Sequence, residues 1–283
     1  LHGALGGDHR TVGNTITTCQ QALALFFQPD IRERCIPSED RPATDVADVI
    51  KRGGTFYLLG REDPYASASP LMTAITEHIL DTALVLANQS QWGRLCPPML
   101  ACLDELPSTA PLPTLRTRMA NERALGISFV YAAQTWRQLT AIFGQDEAQA
   151  LFGLTNVMVV FGGSKDVGFN RDISELTGTV RVARASWNTA RGGRSISADD
   201  IPVLRPEEVR QLPERQALVI AENGKPVIAK LHRCIDGQAG RKLLAGQRQL
   251  RALLTATRQD QHPTGDRADA ALVEAGRRNL AAR

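Results

Sequence analysis

Apolar and polar positions alternate along the chain in a way that separates helices from strands. Residues 11–27, TVGNTITTCQQALALFF, place apolar side chains at helical spacing and end at the turn signal QPD. In ATDVADVIKRGG, Thr44 or Asp45 is expected to cap a short helix that Gly53 and Gly54 stop. TFYLLG, residues 55–60, is rich in β-formers between glycines and predicts a short buried strand. After the polar loop REDPYASAS comes a long predicted helix, about 70–91, with an apolar stripe of Leu71, Ile75, Ile79, Leu80, Ala83 and Leu86. The pattern then becomes strand–helix alternation. PMLACLDE, ISFVYAAQ and NVMVVFGG predict strands; LPTLRTRMANERALG, TWRQLTAIFG, DEAQALFGLT and DVGFNRDISELTG predict helices. Continuous apolar strands between amphipathic helices predict an α/β domain: a parallel sheet with helices on both faces. RVARASWNTARGGRSISADD, residues 181–200, reads as an irregular basic surface loop. Two apolar runs around Asn223–Gly224 predict a hairpin, and the last 45 residues read as helical at first, then polar and basic.

Composition narrows the function classes. The 283 residues are 43% hydrophobic and 22% charged, with net charge +3, a mild basicity that permits nucleic acid without arguing for it. The five cysteines form no CxxC pair and the five histidines no HExxH. Reduced thiols in a cytoplasmic setting are expected, rather than a disulfide framework or a zinc site. No uninterrupted apolar run of about 18–20 residues is present, so no membrane segment is expected in this chain. LHGALGGDHR has neither a basic n-region nor an apolar h-region, so no signal peptide is expected, and a start at leucine is expected of a fragment.

The chemistry concentrates at the ends of two predicted strands. The apolar run of PMLACLDE ends in Asp104 and Glu105, at the sheet edge where open α/β folds bind ligands. Of two adjacent carboxylates there, one can hold Mg²⁺ and the other can take a proton from an attacking water. Gln134 ends the next strand, where an amide can orient water or sense a phosphate. Arg123, near the end of the intervening helix, is placed to reach a neighbouring subunit and stabilise phosphate charge. Each has a plainer alternative: a helix cap for the acids and Gln134, a solvated helix-end cation for Arg123. Arg181, Arg184, Arg191 and Arg194 with Trp187 among them suit a phosphate backbone and a stacked base, or simply a solvated loop.

Taken together, PPMLACLDELPSTAPLPTLRTRMANERALGISFVYAAQTWRQL resembles the Walker B to glutamine-motif region of the TraG/TraD-like coupling proteins of type IV secretion and conjugation. The resemblance runs over about residues 10–235, from GGTFYLLG through FGQDEAQALFGLTNVMVVFGGSKDVGFNRDISELTGT to LRPEEVRQLPERQALVIAENGKPVIAK. That family, hexameric relatives of the FtsK/HerA translocases, pumps DNA with ATP. The resemblance implies a RecA-like P-loop NTPase sheet, ATP and Mg²⁺ as ligands, and DNA, relaxosome and secretion-channel proteins as partners. It also implies a homo-hexamer anchored at the cytoplasmic face of the inner or plasma membrane. Asp104 takes the Walker B aspartate position, Glu105 the catalytic glutamate, Gln134 the glutamine sensor and Arg123 an arginine finger acting in trans.

One departure is large. No GxxxxGK[ST] phosphate loop occurs in these 283 residues; GGDHRTVGNT and GGSKDVGF are the nearest stretches, and Lys165 reads as a surface residue. The expected organisation is therefore a remnant of an all-α insertion at 1–45, the RecA-like domain from Walker B onward at 46–238, and a basic tail at 239–283. Without the phosphate cradle the chain alone is expected to bind ATP weakly or not at all. The alternatives are a non-catalytic docking module on a degenerate P-loop fold and a chromosomal FtsK/HerA-type translocase.

Overall fold

The computed structural model describes residues 9–60, 68–188 and 193–261, without side chains at 9–11, 21–22, 30, 184–188, 193–196 and 256–261. Most of the predicted loop 61–69 and the tail beyond 261 therefore lie outside the described residues.

The first helices are α1 (His9–Leu23), a 3-10 turn (Ala24–Phe27) and α2 (Pro29–Cys35); among their described side chains Leu25 is the one buried hydrophobic. The next, α3 (Val46–Lys51), is capped by Asp45, whose carboxylate accepts from Asp48 N at 3.0 Å. The chain then turns at Gly53, where φ is +68°. Asp45 does the capping rather than Thr44, as its carboxylate suits the helix N-terminus. Helix α4 (Ser69–Gln89) buries Met72, Thr76, Ile79, Leu80, Ala83 and Ala87. Ile79, Leu80 and Ala83 of the expected stripe are buried, and Leu71, Ile75 and Leu86 flank it half-buried. By length and composition α4 is long and apolar enough to cross a bilayer. Its buried face packs in the domain core instead, and its Glu77 and Asp81 engage Arg118.

The strands fall into three small sheets. β1 (Met99–Leu103) and β2 (Ile127–Tyr131) pair in parallel, Met99 opposite Ile127 and Leu103 opposite Tyr131. β3 (Val157–Phe161) does not join them. It pairs antiparallel with β6 (Gln216–Ala221), which pairs with β7 (Val227–Lys230) through the predicted Asn223–Gly224 hairpin. The expectation of three parallel strands fails at β3, because β6 supplies its ladder and no ladder joins β2 to β3. Leu100, Val130, Val157, Val159 and Phe161 stand exposed on these strands, so their continuous apolar runs are buried on one face only.

Two further expectations are corrected. Residues 55–60 form no strand; Tyr57 and Leu59 are 84% and 93% exposed. β-formers settle into a strand only against a partner edge. Here a cavity of about 450 Å³ lies between Thr55, Phe56 and Leu58 and the neighbouring edge of β1. The basic stretch 181–200 is not an irregular loop but a ten-rung hairpin of β4 (Thr179–Asn188) and β5 (Gly193–Pro202). Val180 and Val182 alternating with Arg181 carry the strand signal that the arginine count obscures.

Two cores match the first two sheets. One gathers Leu80, Ala83, Ala101, Leu106, Leu115 and Ile127; the other gathers Val160, Ile173, Val209 and Leu218. Trp136 joins them, edge-on to Phe152 at 5.6 Å and stacked on Phe169 at 6.3 Å. Tyr131 at the end of β2 adds a polar tie: its hydroxyl meets Thr155 Oγ1 at 2.6 Å and donates to Leu151 O at 3.3 Å. Burial, opposed by the Thr155 bond, pushes the phenol's pKa up. Last comes α11 (Gln238–Gln261), with Leu243, Leu250 and Leu254 exposed.

Candidate nucleotide site

β1 and β2 end side by side, and the chain beyond them stays joined. Ala132 N donates to Leu103 O and Leu106 N to Ala132 O, each at 3.0 Å. This places the Asp104–Glu105 tip against the tip that carries Gln134. Asp104 is exposed and Glu105 half-buried. Among the described residues no hydrogen bond or ion pair engages either carboxylate. Glu105 has φ 52° and ψ 47°, the left-handed region, and its carbonyl accepts from Ser108 N and Thr109 N. A non-glycine residue held there costs on the order of 1–3 kcal/mol. The short helix α5 (Leu106–Thr109) therefore starts at once, and the strand's last acid turns out of line.

Gln134 is exposed, and the helix-cap alternative fails for it. Helix α7 (Trp136–Phe143), reached after α6 (Leu115–Asn121), is capped by Thr135, whose hydroxyl accepts from Gln138 N at 3.1 Å. Gln138 Nε2 in turn donates to Ser108 Oγ at 2.7 Å, tying the two tips together. Arg123 is exposed on a single 3-10 turn between α6 and β2. Gly126 ends that turn at φ +81°; a Cβ there would meet Leu95 O at 2.9 Å, so only glycine fits the turn and the close approach.

Behind Arg123 lies a cluster that the sequence analysis missed. Arg118, 6% exposed, donates Nη1 to Glu122 Oε1 at 2.8 Å and Nη2 to Glu77 Oε2 at 2.6 Å, and also bonds Asp81. Its Nε donates to Thr114 Oγ1 at 2.7 Å, and Thr114 donates to Glu77 at 2.6 Å. Burial opposes the Arg118 charge, but Asp81, Glu77 and Glu122 outweigh it and hold the guanidinium above its ordinary range. Glu122 is 4% exposed and its Oε2 has no partner; burial pushes its pKa up against the pull of Arg118. The i,i+4 spacing of Glu77 and Asp81, and of Arg118 and Glu122, is the sequence signal that could have found it.

The remaining candidates fare differently. Lys165 is exposed as expected, and the neighbouring helix α9 (Val167–Thr177) is already capped by Asp166, which accepts from Phe169 N at 3.1 Å. That carboxylate occupies the place a phosphate would need. Arg181 pairs across the hairpin with Asp200 at 3.4 Å. Arg191, and the side chains of Arg184, Trp187 and Arg194, lie outside the described residues. Among the described residues, Asp104 is the one charged residue lining the 450 Å³ cavity beside β1. Among the described residues no cluster of His, Cys, Asp and Glu has the makings of a metal centre. All five cysteines are free and exposed.

A family described as the TraM recognition site of TraD and TraG matches residues 98–214. Over those residues the chain is similar to TraD and TraG. The match covers both strand tips, Arg123 and the basic hairpin. Solved structures of the bacterial conjugative coupling protein TrwB share the fold. Its unbound monoclinic form, lacking 70 N-terminal residues, is 22% identical with a TM-score of 0.60. The complexes with the GTP analogue GDPNP and with ADP and Mg²⁺ score 0.53 at 22% identity and 0.52 at 21%. In each, 81% of this chain is covered and 51% of the TrwB chain, so the chain spans about half of TrwB's length. The chain thus shares the α/β fold of TrwB, with small, partial sheets. No curated protein matches the sequence.

Proposed function

We propose that this chain is the Walker B-bearing part of a coupling protein that uses ATP to deliver DNA, or a protein–DNA substrate, to a type IV secretion channel. One observation carries the reading: two unpaired carboxylates, Asp104 and Glu105, sit at the C-terminal tip of β1 beside the tip that bears Gln134. Oxygen donors free of protein partners suit a hard cation, so Asp104 would hold Mg²⁺ directly or through water. Glu105 would take the proton of the attacking water, and Gln134 would orient that water. Arg123 would complete a neighbouring subunit's site. The metal, when bound, neutralises phosphate charge. On this reading the phosphate cradle comes from outside these 283 residues, whose sequence contains no GxxxxGK[ST] loop.

The unpaired edges of β2 and β3, and the exposed Val130, Val157, Val159 and Phe161, support a sheet completed by a further strand and helix. On this reading residues 1–45 are the remnant of an all-α insertion, 46–238 the nucleotide domain and 239–283 a basic tail. The family matched over 98–214 supports a TraM-like relaxosome protein as a partner of this segment. Ring assembly as a hexamer and anchoring at the cytoplasmic face of the inner membrane belong to the same proposal. So does DNA contact by residues 181–194, where Arg181 already faces Asp200.

The rival is a docking module without hydrolysis, favoured by the missing P-loop. ATP turnover by the intact protein separates the two. Turnover that needs Mg²⁺ and rises on adding DNA is expected. An intact, folded protein with no turnover would overturn the proposal and favour docking.

A further inference from the structure

Arg123 is held by a short relay that crosses from the first sheet to the second. Its Nη1 donates to Asn156 Oδ1 at 3.2 Å, and Asn156 Nδ2 donates to Glu222 Oε2 at 2.7 Å. The direction of this relay is set by chemistry. A carboxylate accepts and cannot donate, so Glu222 draws the amide nitrogen toward itself and leaves the amide oxygen facing Arg123.

The two relay residues are fastened at the backbone as well: Glu222 N donates to Asn156 O at 2.9 Å. That bond lies one residue beyond the Val157–Ala221 pair of the β3–β6 ladder, so the relay is mounted on paired strands. Arg123 itself is anchored on the other sheet. Its carbonyl accepts from Gly126 N at 3.1 Å. The preceding carbonyl, of Glu122, accepts from Leu125 N at 3.0 Å and Ile127 N at 3.2 Å.

We propose that Asn156 and Glu222 are positioning residues for Arg123, holding its guanidinium across the junction of the two sheets and aimed outward. This rests on the reading of Arg123 as acting on a neighbour's phosphate. The neutral amide matters. A carboxylate in direct contact would form an ion pair and compete with phosphate for the guanidinium. Among the described residues no ion pair engages Arg123, and the relay uses one of its five N–H donors. Orientation is thus gained without neutralising the charge.

The test is steady-state ATP turnover by the intact protein, with melting temperature and nucleotide affinity alongside. Asn156→Ala and Glu222→Ala are each expected to lower kcat by about tenfold, the scale of a small misplacement of a catalytic group. KM for ATP and the melting temperature stay unchanged. In an Arg123→Ala background neither change lowers kcat further. N156D alone sets two carboxylates face to face and places one of them on Arg123, lowering kcat; N156D with E222Q relieves the first fault but keeps the ion pair on Arg123, so kcat stays low. If Arg123→Ala itself leaves turnover intact, the underlying reading of Arg123 is wrong. If Arg123→Ala abolishes turnover but Asn156→Ala leaves kcat alone, or lowers it equally in both backgrounds, the relay is overturned while that reading stands.

Discussion

Glu105→Gln in the intact protein lowers ATP turnover by about 10²–10⁴-fold, the usual contribution of a positioned general base. Nucleotide and Mg²⁺ still bind, because Asp104 and the phosphate contacts are untouched. The fold is also untouched. Glutamine keeps the size of glutamate and meets the same left-handed backbone at φ 52°, so its strain is neither added nor relieved. No hydrogen bond or ion pair among the described residues is lost with the carboxylate. The expected signature is a bound, unhydrolysed nucleotide in a protein with an unchanged melting temperature. Turnover within a few-fold of wild type would remove Glu105 from the chemistry and leave its strain unexplained.

Arg118→Met is the largest expected stability effect. Arg118 is the one cation among Glu77, Asp81 and Glu122, and its removal leaves the buried Glu122 carboxylate without a partner. Breaking a buried ion pair from one side costs about 3–5 kcal/mol. That is a large share of the roughly 5–15 kcal/mol that separates a folded domain from its unfolded chain. For a domain of this size it corresponds to a fall in melting temperature on the order of 10 °C. The loss depends on pH in a definite sense. Burial already raises the Glu122 pKa above its ordinary 4.5, and loss of Arg118 removes the opposing pull. A carboxyl with a raised folded pKa contributes fully below its unfolded pKa, and that contribution is lost as pH rises through the folded value. The gap between Arg118→Met and wild type therefore narrows as pH falls toward 4.5 and widens above it, as read by urea unfolding across pH. Glu122→Gln added to Arg118→Met recovers part of the loss at neutral pH. A variant as stable as wild type at neutral pH would show that the cluster is not a buried charge network.

The elements that could be read along the chain were those whose signals are local. Asp45 as a cap, the α4 stripe, β1, β2 and the Asn223–Gly224 hairpin each rest on residues within one turn or one rung of each other. What could not be read was pairing. TFYLLG has strand composition, yet whether it ladders depends on the edge of β1, more than 35 residues away. The apolar run at 157–161 gives no sign that its partner is 216–221 rather than 127–131. In 181–200 the arginines drew attention to charge and away from a plain two-residue alternation. The same division holds at the site. The placement of Asp104, Glu105 and Gln134 at neighbouring strand tips could be read because their spacing is short and their strand ends are apolar. Arg118 pairs with Glu77 across 41 positions, and Asn156 with Glu222 across 66, so both sets had to wait for the fold.

The central claim is that these residues form the metal and water side of a nucleotide site whose phosphate side lies elsewhere. Calorimetric titration of the 283-residue chain with Mg-ATP, its fold checked by circular dichroism, tests this most directly. No binding, or binding weaker than about the millimolar range (roughly −4 kcal/mol), is the predicted result. Affinity in the micromolar range, about −8 kcal/mol, would mean that this chain holds a phosphate cradle of its own and would contradict the account.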